Sequence, residues 1–425
     1  MNRVNRHVYS NGMLNTAGTI FDSKGNVLVE SVDGKRVYND DKTVRRALLH
    51  LTGDSQGFIS TGVQNLYKKE LVGYNVLTGL YTAGEVRGND IHLTIDSDVS
   101  KAALKALGDR KGAVAVYNYK TGEIICMVSS PTFDPKNKPE NIDTDTSGQY
   151  EGIYMNRCLS SSYIPGSTFK IITAAAALEN IDDIHEQTFY CSGSYKTGDG
   201  EVICNGVHGE LNFTQALNQS CNSAFTQIAL QLGKDTLAEQ AQKMGFNQVI
   251  SIDKVNLSKS TFNVSDANRA DLGWAAIGQY TTLANPMQMM MACGAIANGG
   301  CAVTPYFIDS ITSPLGMSVY NGSTKTGDAM MSVSTANQLA KMMHLDVVNK
   351  YGEKNFPGIT LAAKTGTAQI DGEPATSWFV GFTMDDECPL AFAVAIEKGG
   401  SGMSAAGPVA NKVLQAAYKS LGVKK

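Results

Sequence analysis

Ser167 and Lys170 stand three residues apart in Tyr163-Ile-Pro-Gly-Ser-Thr-Phe-Lys170, just ahead of the run Ile-Ile-Thr-Ala-Ala-Ala-Ala-Leu. Pro165 and Gly166 force a turn, and the run behind them predicts a buried helix. Ser167 then falls at or near the first helical turn, where unpaired N–H groups and the positive dipole end favour negative charge. The spacing puts Lys170 on the same helix face. A serine that must lose a proton, beside an amine that can take it, is the pairing nucleophilic catalysis uses. Taken alone, the same residues also describe a serine cap followed by a surface lysine.

Two further stretches carry polar groups at suggestive spacing. In Asn218-Gln-Ser220-Cys-Asn222-Ser-Ala-Phe, Ser220 and Asn222 would diverge on a continuous helix. A bent backbone would present hydroxyl and amide to one pocket; a straight helix would make them a polar patch. In Leu361-Ala-Ala-Lys364-Thr-Gly-Thr367-Ala-Gln-Ile370, strand alternation places Lys364 and Gly366 on one face and Thr365 and Thr367 on the other. A mid-strand glycine marks either a plain bulge or a close approach to the backbone. An open edge here could pair with an extended peptide. The two threonine hydroxyls could hold a carboxylate, with Lys364 facing the other polar groups.

These stretches need a scaffold. Residues 1–90 hold a hairpin, Ala17-Gly-Thr-Ile-Phe-Asp-Ser-Lys-Gly-Asn-Val-Leu, and short amphipathic pieces, without clustered acids, bases or ligands. They read as a small irregular accessory region. The second region, 91–425, begins with a strand at Ile91–Ile95. A helix follows from Asp96 to Leu107, capped by Asp96 or Ser97 and stopped by Gly108. A hairpin follows at 112–117 and 123–128. Asn212 to Gly233 reads as helical overall, and Ala267 to Gly300 holds two helices separated at Asn285-Pro286. Thr335 to Val348 is a weaker helix. Three strands, Ile359–Ile370, Thr376–Met384 and Pro389–Glu397, precede a last helix, Ser404–Leu421. First and last strands must meet in one antiparallel sheet with helices on its faces, an α+β arrangement.

The chain of 425 residues has a formal net charge of −4 and no basic run, which argues against a nucleic-acid partner. No stretch approaches the roughly 18 apolar residues of a membrane span. No signal peptide is visible at the polar start, so the expectation is either a cytosolic protein or one whose N-terminal anchor has been removed. Cys191 and Cys204 bracket a polar, glycine-rich loop. They could close it as a disulfide or remain free thiols. A zinc site is not expected, since no second cysteine pair stands near them in the chain.

Ser167-x-x-Lys170, Ser220-x-Asn222 and Lys364-Thr-Gly366, in that order, are the set shared by penicillin-binding proteins and class A β-lactamases. The chain resembles the penicillin-binding protein transpeptidase family from about residue 88 to its end. Gly112-Ala-Val-Ala-Val-Tyr looks like the family's opening hairpin, Ala276-Ile-Gly-Gln279 its helical segment, and Thr376-Ser-Trp-Phe-Val-Gly-Phe382 the strand after Lys-Thr-Gly. The N-terminal hairpin is similar, more loosely, to the non-catalytic pedestal of the class B, monofunctional members. The resemblance implies a five-stranded sheet flanked by helices, with an all-helical subdomain, as in serine β-lactamases and transpeptidases. It implies acyl transfer from peptidoglycan stem peptides, without a cofactor, and acylation by β-lactam antibiotics. The implied roles are Ser167 as nucleophile, Lys170 as base, Ser220 as proton relay steered by Lys364, and Asn222 as substrate ligand. Thr365, Gly366 and Thr367 would line the substrate carboxylate and backbone, and His208 would be structural. An extracytoplasmic location, an N-terminal anchor and a glycosyltransferase partner belong to the same expectation. Rival readings are a D,D-carboxypeptidase, a β-lactamase and a β-lactam sensor. No Glu-x-x-x-Asn element that would supply a lactamase's deacylating base stands between Ser220 and Lys364.

Overall fold

The computed structural model describes residues 9–10, 13–14, 16–75, 80–81, 87–370 and 373–423. The first strands of the larger sheets are β1 (Ile20–Phe21), β2 (Val27–Val32) and β3 (Lys35–Tyr38). β4 (Asp90–Leu93) and α1 (Ser97–Leu107) follow. The Asp96 carboxylate accepts from the N–H groups of Asp98 and Val99 and so caps α1, and Gly108 at φ 63° ends it. β5 (Gly112–Asn118) and β6 (Ile124–Ser130) form the expected hairpin, with Gly112 opposite Ser130.

α2 (Lys170–Asn180) continues a 3-10 turn over Gly166–Phe169. Every side chain from Lys170 to Ala177 is buried, which explains the small and apolar residues on all sides of it. Where one helical stretch was expected, the chain forms α3 (Phe213–Asn218) and α4 (Asn222–Lys243), and α4 is kinked at Gly233. α5 (Arg269–Ala276) and α6 (Pro286–Ala297) come next, with Pro286 at the first turn of α6, where its missing N–H costs nothing. Later in the chain come β7 (Ile308–Thr312), β8 (Ser318–Asn321), α7 (Val333–Asp346), β9 (Leu361–Ile370), β10 (Glu373–Thr383), β11 (Leu390–Ile396) and α8 (Gly402–Ser420).

Five strands form an antiparallel sheet in the order β6-β5-β11-β10-β9. β11 pairs with β5 from far along the chain, Val394 opposite Val114. β6 and β11 are buried from end to end. Helices cover both faces, α1 and α8 on one and α6 on the other, so these strands are almost continuously apolar instead of alternating. This is the α+β arrangement expected, and it leaves β9 as an edge strand.

The strands before residue 90 do not stand apart. A second, six-stranded sheet runs β8-β7-β4-β1-β2-β3. Ile91 pairs with Ile20 on one side, in parallel, and with Ile311 on the other, antiparallel. Arg45 adds two 2.7 Å hydrogen bonds to the Asp134 carboxylate, both side chains being nearly inaccessible. The early strands are too short to reveal a partner this far along the sequence.

Candidate active site

Ser167 lies in the 3-10 turn that feeds α2, half-buried, with Lys170 beneath it. Gly166 adopts φ 53°, and a Cβ there would lie 2.8 Å from the Thr367 carbonyl oxygen. Gly366 repays the approach from the other side: its Cβ would lie 2.5 Å from the Pro165 carbonyl oxygen. The two glycines let the serine turn press directly against the β9 edge. Trp378, on β10, donates its Nε1–H to the Ile164 carbonyl at 2.9 Å and fixes the turn to the sheet.

The bend predicted at Ser220 exists, and its geometry is specific. α3 ends with the Ser220 N–H bonded to the Leu217 carbonyl and the Cys221 N–H bonded to the Ala216 carbonyl, both at 2.9 Å. This is a Schellman close, whose left-handed residue is usually glycine. Here that residue is Ser220, at φ 53°. Cys221 then caps α4 at once, its sulfur accepting from the Ala224 N–H. The helix break turns Ser220 and Asn222 toward the same lysine.

Lys170 Nζ lies 3.0 Å from Ser167 Oγ, 3.1 Å from Ser220 Oγ, 2.6 Å from the Ser220 carbonyl oxygen and 2.7 Å from Asn222 Oδ1. Burial, then the nearby Lys364 cation, hold the Lys170 pKa well below its ordinary value. A neutral amine has two N–H donors and one lone pair. The Ser220 carbonyl and the Asn222 amide oxygen can only accept, so they take both donors. The lone pair is left for the serine hydroxyls.

Lys364, on β9, donates to Ser220 Oγ at 3.1 Å. The contacts therefore run Ser167, Lys170, Ser220, Lys364 without a gap. Burial pulls the Lys364 pKa down to about 8, against the opposing pull of Asp346. Asp346, fully buried 3.9 Å away, is pushed up to about 6, chiefly by burial. Thr365 is half-buried and Thr367 exposed along the edge.

The structure thus gathers Ser167, Lys170, Ser220, Asn222 and Lys364 into one hydrogen-bonded cluster beside the β9 edge that carries Thr365, Gly366 and Thr367. Asn222 differs in detail from expectation. Its Oδ1 accepts from Lys170 and its Nδ2 donates to the Ile203 carbonyl at 2.9 Å, so the amide already holds the lysine.

Sequence reasoning missed two neighbours. Asp346 ends α7, and Tyr351 follows in a π turn over Val347–Tyr351. The Tyr351 hydroxyl accepts from the Thr365 N–H at 3.1 Å and lies 3.1 Å from Thr365 Oγ1. Asn218 Nδ2 donates to the other Asp346 oxygen. The one available signal was an acid at the end of a helical apolar run. The thiols are the other feature that chain spacing did not reveal. Cys191 and Cys204 are both free, and the fold brings His208 and Cys221 to them, with all four ligand atoms within 4.8 Å of one another. Chain spacing hid this set because its members come from separate strands and a helix start.

Residues 112–415 match the family described as penicillin-binding protein transpeptidase domain. The chain is 28% identical over 425 residues to the peptidoglycan D,D-transpeptidase PbpA of Mycolicibacterium smegmatis, covering 92% of this chain and 86% of that protein. It resembles the D,D-transpeptidase domain of a peptidoglycan glycosyltransferase from Eggerthella lenta, with TM-score 0.84, 30% identity and coverage of 96% and 99% of the two chains. It is similar to penicillin-binding protein A from M. tuberculosis as its penicillin G acyl-enzyme complex, with TM-score 0.83, 26% identity and coverage of 95% and 99%.

Proposed function

The chain belongs to the penicillin-binding protein transpeptidase family, and from that premise we infer that it is a class B peptidoglycan D,D-transpeptidase, acylated also by β-lactams. The observation that carries the mechanism is the disposition of Lys170: its Nζ lies 3.0 Å from Ser167 Oγ, and when neutral it can give its two N–H donors to the Ser220 carbonyl and Asn222 Oδ1 and keep its lone pair for a hydroxyl.

In the proposed reaction Ser167 Oγ attacks the carbonyl between the two terminal D-alanines of a stem peptide. Its proton passes to Lys170. A general base so placed contributes about 10²–10⁴ in rate. The N–H groups of Ser167 and Thr367 receive the oxyanion, a role supported by the contact of Gly166 with the Thr367 backbone. Lys170 passes that proton to Ser220 as Ser220 gives its own to the departing D-alanine nitrogen, and Lys364 holds the Ser220 hydroxyl in line. The hydroxyls of Thr365 and Thr367 bind the terminal carboxylate. The amine of a second stem peptide then attacks the ester, closing the cross-link and freeing Ser167.

The substrate lies outside the cytoplasm, and so does the catalytic domain. No helix among the described residues is long and apolar enough to cross a membrane. An N-terminal anchor and a glycosyltransferase partner that polymerises the strands complete the proposal, as does a pedestal role for residues 1–90, supported by the sheet that ties them to β7 and β8. The test is incubation with a stem peptide ending in D-Ala-D-Ala and an acceptor amine. Cross-linked product with release of D-alanine is expected. Hydrolysed peptide alone would make the chain a carboxypeptidase.

A further inference from the structure

Tyr351 is buried behind the β9 edge, its ring set edge-on to Phe379, the β10 residue opposite Thr365. A phenol oxygen has two lone pairs and one hydrogen. The Thr365 N–H at 3.1 Å and Lys364 Nζ at 3.5 Å face the lone pairs. The hydrogen has two acceptors in reach, Thr365 Oγ1 at 3.1 Å and Asp346 Oδ2 at 3.5 Å. The first is close to the ordinary range for a hydroxyl donor, about 2.5–3.0 Å, and the second is at its limit. Asp346 is not left short of partners, since Asn218 donates to its other oxygen and the Lys364 cation faces it.

Thr365 Oγ1 then accepts from behind, and its own hydrogen points to the open side of the half-buried residue. Thr367 is arranged alike. Its Oγ1 accepts at 3.3 Å from the N–H of Gly402, the first residue of α8. That N–H is one of the donors a helix leaves unpaired at its positive dipole end. Two hydroxyls on one face of β9 thus both present hydrogen. The group that suits a pair of donors near the Lys364 cation is a carboxylate; an ester accepts more weakly, and an ammonium cannot accept at all.

We propose that Tyr351 is a positioning residue that fixes the Thr365 hydroxyl as a donor and so makes the β9 edge select a substrate for its terminal carboxylate. This role rests on the transpeptidase reading, which puts a carboxylate at Thr365 and Thr367 but does not by itself say which way their hydrogens point. Tyr351 touches no substrate; it acts through the threonine. Were its hydrogen given to Asp346 instead, the Thr365 hydrogen would turn back to the phenol oxygen. Thr365 Oγ1 would then meet a carboxylate with its lone pairs, and the edge would disfavour the charge.

Penicillin G carries a carboxylate and its methyl ester does not, so the ratio of their acylation efficiencies on the full chain reads this selectivity. Tyr351→Phe, which keeps the ring against Phe379, should lower the acid-to-ester ratio by about 10–100-fold, the worth of a hydrogen bond to a charged group. The loss should appear in the penicillin G concentration that gives half-maximal acylation more than in the maximal rate. In a Thr365→Val background the Tyr351→Phe change should lower the ratio no further, because the hydroxyl it orients is gone. An unchanged or raised ratio in Tyr351→Phe, or a full further loss in the Thr365→Val background, would overturn the assignment. If Tyr351→Phe fails to fold, 3-fluorotyrosine at position 351 takes its place. Its more acidic hydroxyl donates more strongly and should raise the ratio, and an equal or lower ratio would overturn the assignment. Wild-type chain that neither compound acylates would instead refute the transpeptidase reading, and this role with it.

Discussion

Lys364 and Asp346 face each other with no access to water, Nζ and Oδ2 3.9 Å apart. The carboxylate keeps the lysine charged where burial would neutralise it, and the lysine in turn holds Ser220. Lys170 must be neutral to act and Lys364 charged. The rate of penicillin acylation should therefore fall on the acid side as Lys170 gains a proton, and on the alkaline side above about pH 8 as Lys364 loses one. In Asp346→Asn the counter-charge is gone, the Lys364 pKa drops further, and the alkaline limb should move to lower pH. Removing one partner of a buried pair should also cost about 3–5 kcal/mol of stability. Stopped-flow acylation across pH checks the first point and denaturant melts the second. An alkaline limb that stays in place would detach Asp346 from the site.

Lys170→Arg tests neutrality. Arginine keeps its charge at every accessible pH, so it offers no lone pair to Ser167. Acylation should fall by about 10²–10⁴, the contribution of a general base. Near-normal acylation by this variant would mean that the residue at 170 acts only as a cation.

Ser220 occupies a left-handed position for which glycine is better suited, at φ 53°. Both Ser220→Gly and Ser220→Ala lose the hydroxyl and should acylate slowly. Only the glycine variant loses the strain, so it should be more stable than the alanine variant by about 1 kcal/mol. Paired thermal melts and acylation rates measure both. Equal stabilities would show that the turn is unstrained.

Much of this site was legible because its chemistry resides in three short stretches. The helix run after Lys170, the glycine within β9 and the two-residue step from Ser220 to Asn222 each imply their local geometry. That early and late strands share one antiparallel sheet followed from apolar runs towards both ends of the chain. What could not be read depends on contacts between distant segments. Asp346 reaches Lys364 from the end of a helix with weak apolar periodicity, and Tyr351 does so through a π turn no propensity announces. The cysteines looked unrelated because two strand ends and a helix start bring them together. Ile20 found Ile91 by parallel pairing of strands too short to show a preference.

The most direct measurement is the intact mass of the protein after exposure to a penicillin, with peptide mapping of the adduct. Wild-type chain should gain one ring-opened penicillin on the peptide carrying Ser167, and Ser167→Ala should gain none. An adduct mapped to another residue, or one that persists in Ser167→Ala, would contradict the assignment of Ser167 as nucleophile and with it the roles given to Lys170, Ser220 and Lys364.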